Sequence, residues 1–146
     1  MRRPPFARFT AVGSVVTAVD VGLFVARWGR GRRSLLDAIA AAAARAGRAP
    51  EVYVQVNIGE EPQKGGCALA DVGALVAATR ASGLPLAGLM AIPPAGLEPG
   101  PYFALLAEIA RRHDVTGLSM GMSSDYPTAV MLGATAVRVG SAMFED

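Results

Sequence analysis

The sequence predicts an α/β fold, specifically a partial (β/α)8 TIM-type barrel of parallel strands with covering helices. Four apolar segments, at residues 52–58, 86–92, 117–120 and 136–139, alternate with segments of helical character. Strands that are apolar on both faces are typical of a parallel sheet covered by helices. The loops after these strands are long and carry Gly, Pro and Ser, which is typical of barrels whose function lies at the carboxyl ends of the strands.

The chain length limits how much of a barrel can be present. A complete barrel takes about 250 residues, and this chain has 146. Apolar residues make up 52% of the sequence, which is enough for one packed core. We therefore expect an atypical N-terminal segment at residues 1–33, followed by the C-terminal half of a barrel at residues 34–146, with the N-terminal strands missing.

The N-terminal third differs in charge from the rest. Residues 1–50 carry nine Arg and two Asp, whereas residues 51–146 carry ten acidic and five basic side chains. Because the aromatic residues do not interleave the arginines in a binding pattern, this segment is not typical of a nucleic-acid interface. Asp20 interrupts the apolar run at residues 9–26, and a central Asp costs about 2.5–3.5 kcal/mol in a membrane helix. We expect short strands at residues 12–19 and 21–26, no membrane segment and a cytoplasmic protein.

Four helices are predicted between and around the strands. The first begins after Ser34, an N-cap residue with Asp37 three positions later, and ends at Gly47. The others are expected at residues 70–81, 102–113 and 125–132.

Small polar residues follow the last two predicted strands. Met122 and Ser123 come after one strand, and Gly140 and Ser141 come after the next. Glycines permit close approach of the backbone, and hydroxyl and N–H groups bind anions, so the pair of segments predicts a phosphate site. Ordinary helix capping by Ser or Asp is the alternative. Arg138 lies in an apolar strand, where it would need either a structural ion pair or a ligand.

The remaining candidates point to structural roles. Asn57 ends a strand and would either contact a ligand or fix its own loop. Lys64 is the only lysine, and its loop also carries two glutamates, which favours loop stabilisation. His113 is the only histidine and Cys67 the only cysteine, so neither a metal site nor a catalytic residue is predicted.

Five segments resemble, in order, the second half of the YggS/PROSC-type pyridoxal-phosphate homeostasis proteins. These segments are residues 54–61, 64–66, 88–93, 118–125 and 137–144. The resemblance covers residues 51–146 and implies a barrel like the N-terminal domain of alanine racemase. It also implies binding of pyridoxal 5′-phosphate (PLP) with no established turnover.

The resemblance also assigns roles to individual residues. The Ser123 segment, Gly140 and Ser141 look like the phosphate cradle, and Arg138 looks like the residue that faces the pyridine side of the cofactor. The strand of Met90 would line the pocket. Met122 and Asn57 complete the expected cofactor-binding set.

One departure from the family pattern concerns covalent attachment. The family's Schiff-base lysine ends its first strand, which this sequence lacks, and Lys64 matches a loop lysine instead. We therefore expect a truncated protein that binds PLP without a covalent bond. The alternatives are a degenerate fragment that binds nothing and self-associates through a sheet edge, or an alanine-racemase-like PLP enzyme. That enzyme needs a Schiff-base lysine and an acid/base residue, neither of which is visible.

Overall fold

The computed structural model describes residues 8–9 and 33–140. The strands are β1 (Arg8–Phe9), β2 (Val52–Gln55), β3 (Leu86–Met90), β4 (Leu118–Met122) and β5 (Ala136–Arg138). The helices are α1 (Arg33–Ala46), α2 (Val72–Ala81), α3 (Gly100–Arg112) and α4 (Tyr126–Met131), with a short 3-10 turn at Leu69–Asp71 before α2.

The strands form one parallel sheet in the order β1-β5-β4-β3-β2. The predicted α/β fold is confirmed, and β2 to β5 are adjacent in chain order, as is usual for consecutive βαβ units. The sequence did not predict β1, which pairs Arg8 with Ala136 of β5. The strands expected at residues 12–19 and 21–26 lie outside the described residues.

One face of the sheet packs against the helices and forms the main core. Leu89 of β3 and Met120 of β4 are fully buried there, together with Phe103 and Leu106 of α3. Alternation along the strands places the neighbouring residues on the opposite face. Because the strands are parallel, the carboxyl ends of β2 to β5 lie at the same end of the sheet, where the loops that follow them begin.

The helix α1 begins earlier in the chain than predicted. It begins at Arg33, so Ser34 lies inside the first turn and is not the N-cap. Its end agrees with the prediction, because Gly47 has a φ of +61° and the N–H of Arg48 donates to the carbonyl of Ala43.

Two further observations bear on the expected class of protein. Within residues 8–9 and 33–140, no helix has the length and apolar character needed to cross a membrane. Cys67 is fully buried, as expected for a small core residue.

Candidate functional site

The loops after β4 and β5 meet through one hydrogen bond. The backbone N–H of Gly140 donates to Oγ of Ser123, at 3.1 Å. Ser123 directly follows β4, and Gly140 lies two residues beyond β5. The structure therefore brings these two predicted site residues together at the same end of the sheet. Ser141, the third predicted member of the cradle, lies outside the described residues.

The turn after β4 has a tightly constrained backbone. Gly121 has a φ of +97°, and a Cβ atom placed there would lie 2.6 Å from Cβ of Ala129. Oδ1 of Asp125 accepts the N–H of Met122 at 2.6 Å, and the N–H of Asp125 donates back to the Met122 carbonyl. The Asp125 carboxylate makes no capping hydrogen bond to α4, so it shapes the turn and does not cap the helix.

Met122 takes part in this turn through its backbone, and its side chain points to solvent. The N–H of Met122 is already bonded to Asp125, whereas its side chain is 44% exposed at the carboxyl end of β4. A ligand would therefore meet the Met122 side chain and not its amide. That contact stays a prediction.

Arg138 crosses the sheet face opposite the helices. Its Nη1 donates to the carbonyl and to Oγ of Ser119, at 2.9 Å and 2.7 Å, and its Nη2 donates to the carbonyl of Ala91 at 3.1 Å. Burial lowers the pKa of the Arg138 guanidinium, and the negative charge of Asp125 partly opposes that shift. Among the described residues no carboxylate forms an ion pair with Arg138. The structural ion pair offered as an alternative is therefore not found in this part of the chain.

Asn57 fixes the loop that follows β2. Its Nδ2 donates to the carbonyl of Glu61 at 2.8 Å, and its Oδ1 accepts the N–H of Glu61 at 3.2 Å. Of the two roles weighed for Asn57, the structure shows loop fixation. A contact between Asn57 and a ligand stays a prediction.

Lys64 ties this same loop to the loop after β3. Its Nζ lies 2.6 Å from Oε2 of Glu61 and donates to the carbonyl of Pro93 at 2.8 Å. The two loops also touch at Gly59, where an added Cβ would lie 2.4 Å from Cγ of Pro94. The predicted loop-stabilising role of Lys64 is confirmed.

The loop after β2 also covers part of the sheet edge. The N–H of Cys67 donates to the carbonyl of Gln55, and the carbonyl of Cys67 accepts the N–H of Asn57. Covered backbone groups do not pair with another chain, so the carboxyl half of this edge is protected. Self-association through an exposed sheet edge stays a prediction, and the described residues add no support for it.

Sequence reasoning missed two buried polar residues near the site. Ser119 of β4 is 3% exposed and binds Arg138, and Gln55 of β2 is 8% exposed and donates to the carbonyl of Gly65. The available signal was a polar residue within each apolar strand. By contrast, His113 lies at the end of α3 with its ring over Gly73. Within the described ranges, no three His, Cys, Asp or Glu side chains cluster as metal ligands would.

The arrangement suits an anionic ligand. A half-buried guanidinium without a contacting carboxylate, among residues 33–140, attracts negative charge. Backbone N–H and hydroxyl groups lie at the adjoining strand ends, which is where parallel α/β sheets bind their ligands.

Comparisons with known proteins agree with this geometry. Residues 31–146 match the family model described as the alanine racemase N-terminal domain. A pyridoxal phosphate homeostasis protein of Deinococcus radiodurans is 47% identical over 110 residues, which cover 74% of this chain and 52% of that protein. A protein of the same description from Mycobacterium leprae is 38% identical over 120 residues, which cover 74% of this chain and 47% of that protein. The chain thus spans about half the length of these curated relatives.

Solved structures show the same fold. PipY of Synechococcus elongatus without PLP superposes with a TM-score of 0.73 at 34% identity, covering 86% of this chain and 61% of PipY. The PLP-bound structure of PipY gives a TM-score of 0.64 at 34% identity, covering 84% of this chain and 60% of PipY.

Proposed function

This chain belongs to the family of the alanine racemase N-terminal domain, and on that premise we propose that it binds PLP through the phosphate group, without a covalent bond. The observation that carries the proposal is the hydrogen bond between Gly140 and Ser123, because it places donors from two strand ends at one point. The PLP-bound structure of PipY and the names of the curated relatives support the choice of cofactor.

The phosphate would lie between the loops after β4 and β5. There, the Ser123 hydroxyl, the Gly140 N–H and the Ser141 hydroxyl would hold it by charge-assisted hydrogen bonds. The Gly140 N–H donates to the Ser123 hydroxyl oxygen at 3.1 Å, so the two groups lie close enough to contact one phosphate. A phosphate oxygen would compete for this donor.

Arg138 would face the ring side of the cofactor. It has five N–H donors, and three hydrogen bonds engage it among residues 33–140. Donors are therefore left for a ligand on the face opposite the helices. Met122 and Asn57 would border the pocket at the carboxyl ends of β4 and β2.

Non-covalent binding follows from the placement of the single lysine. Lys64 lies on the loop after β2, and β3 separates β2 from β4. Its Nζ already contacts Glu61 and the Pro93 carbonyl. When bound, PLP supplies an aldehyde and an electron-withdrawing ring. Without a lysine at the ring, the chain would hold the cofactor reversibly and would not turn it over.

The biological role that fits this chemistry is PLP homeostasis in the cytoplasm, in which the protein holds or delivers the cofactor. Residues 34–146 would form the cofactor-binding half of a barrel. The partner would be a small molecule and not a nucleic acid or a membrane.

Equilibrium dialysis of the 146-residue chain against PLP, pyridoxal and inorganic phosphate tests the proposal. We expect PLP to bind, inorganic phosphate to compete, and pyridoxal to bind far more weakly because it lacks the phosphate. Borohydride reduction should leave the protein mass unchanged. Equal affinity for PLP and pyridoxal would refute the phosphate site, and no binding would favour a degenerate fragment. A reduced adduct on Lys64 would refute non-covalent binding.

A further inference from the structure

Ser119 is a buried polar residue in the middle of the sheet. It is 3% exposed, and its register partners are Met90 in β3 and Ala136 in β5. Its chain neighbours Leu118 and Met120 belong to the main apolar core, whereas Ser119 does not. Alternation along β4 therefore places its hydroxyl on the face opposite the helices.

The Ser119 hydroxyl is the side-chain partner of Arg138 among the described residues. The other acceptors of Arg138 are backbone carbonyls, those of Ser119 and Ala91. Oγ of Ser119 accepts the shortest of these hydrogen bonds, at 2.7 Å. These three hydrogen bonds hold the side chain of Arg138, a residue of β5, across β4 and as far as the end of β3.

We propose that Ser119 is a positioning residue that sets the direction in which Arg138 presents its remaining donors to the cofactor ring. The inference rests on the proposed function. Arginine has a long and flexible stem, so a guanidinium aims its donors consistently only when several acceptors hold it. The two carbonyls remain in every variant of the chain. The hydroxyl is the acceptor that the side chain at position 119 supplies.

Ser119 and Ser123 lie at opposite ends of β4, so we assign Ser119 to the ring of the cofactor and Ser123 to its phosphate. Ser123, which contacts Gly140, lies beyond the carboxyl end of β4, whereas Ser119 lies near its beginning. Removal of the Ser119 hydroxyl should therefore change recognition of the ring and leave recognition of phosphate intact. A merely structural residue would weaken both.

The experiment compares the affinities of Ser119→Ala for PLP and for inorganic phosphate with those of the wild-type chain. We expect the Kd for PLP to rise about tenfold, as for loss of a hydrogen bond to a charged group. The Kd for inorganic phosphate should stay within about twofold. Ser119→Cys, which keeps a weak acceptor at this position, should show a smaller rise in the same direction.

Thr79→Val is the matched control. Thr79 is 1% exposed, and its hydroxyl donates to the Leu75 carbonyl inside α2, away from the site. This variant loses a buried hydroxyl but should keep both affinities. An unchanged PLP affinity in Ser119→Ala, or an equal loss for PLP and phosphate, would overturn the inference alone. A wild-type chain that binds no PLP would overturn the proposed function, and the inference with it.

Discussion

The backbone N–H of Gly140 donates a hydrogen bond to Oγ of Ser123 over 3.1 Å, although 17 positions separate the two residues. The intervening chain forms α4 and β5, so the contact results from one crossover between adjacent parallel strands. The carboxyl ends of both strands then meet at the same edge of the sheet. The proposed phosphate site rests on this convergence of two strand ends.

Ser123→Ala should weaken binding of both PLP and inorganic phosphate. The variant removes a hydroxyl from the proposed cradle and also removes the acceptor of the Gly140 N–H. Loss of a hydrogen bond to a charged group corresponds to about a tenfold to hundredfold rise in Kd. We expect Ser141→Ala to act in the same direction. Equilibrium dialysis with each ligand gives the values.

Ser82→Ala is the control for the serine variants. Its hydroxyl donates to the Thr79 carbonyl at the end of α2, a helix that packs against β2 and β3. Both affinities should be unchanged in this variant. Unaltered phosphate binding in Ser123→Ala would show that the cradle is elsewhere.

Gly121→Ala should lower the free energy of unfolding by more than Gly83→Ala does. Both glycines have a positive φ, and a side chain there costs on the order of 1–3 kcal/mol. A Cβ at Gly121 would also lie 2.6 Å from Cβ of Ala129, whereas a Cβ at Gly83 would meet no atom within 4 Å. Urea denaturation measures the difference. Equal losses would mean that the turn after β4 is looser than described.

Lys64→Met should destabilise the protein by about 1 kcal/mol without changing the Kd for PLP by more than about twofold. The variant breaks the ion pair with Glu61 and the hydrogen bond to Pro93, both of which are largely shielded from solvent. Arg111→Met breaks an ion pair in which Arg111 is 74% exposed, and it should have almost no effect on stability. Loss of PLP binding in Lys64→Met would contradict the structural role of Lys64.

Glu108→Gln should reveal a small dependence of stability on pH. Hydrogen bonds from Arg111 and Arg112 lower the pKa of the Glu108 carboxyl from 4.5 to about 2. A carboxyl whose pKa is lower in the folded state stabilises that state fully above its unfolded pKa, and this contribution is lost as pH falls through the folded pKa. The wild-type Tm should slightly exceed that of Glu108→Gln at pH 7, with the gap closing between pH 4.5 and about 2. A gap that persisted at pH 2 would contradict the assignment.

Local sequence patterns predicted most of the fold. Runs of β-branched and apolar residues predicted the positions of β2 to β5, and Gly47 ends α1 as expected. Strand ends were less accurate, because the segment predicted as residues 52–58 leaves the sheet ladder after Gln55. There, Val56 bridges to Cys67 instead. That bridge depends on a loop returning to the edge, which no local pattern encodes.

The candidate site, like the fold, could be predicted from the sequence only in part. The meeting of Ser123 and Gly140 could be predicted, because parallel strands bring their carboxyl ends together. The role of Ser119 could not, since its hydroxyl gains a function only from Arg138, which lies 19 positions later in the chain. Likewise, the carbonyl partners of Arg138 are backbone groups, which leave no signature in the residue types.

The amide signals of Gly140 and Ser123 in ¹H–¹⁵N spectra test the central claim most directly. During titration with PLP, both signals should shift and saturate, inorganic phosphate should reproduce the shifts, and pyridoxal should not. The Lys64 amide should stay in place. PLP-induced shifts that are absent at Gly140 and Ser123, or that appear instead around Lys64, would contradict a phosphate site at the ends of β4 and β5.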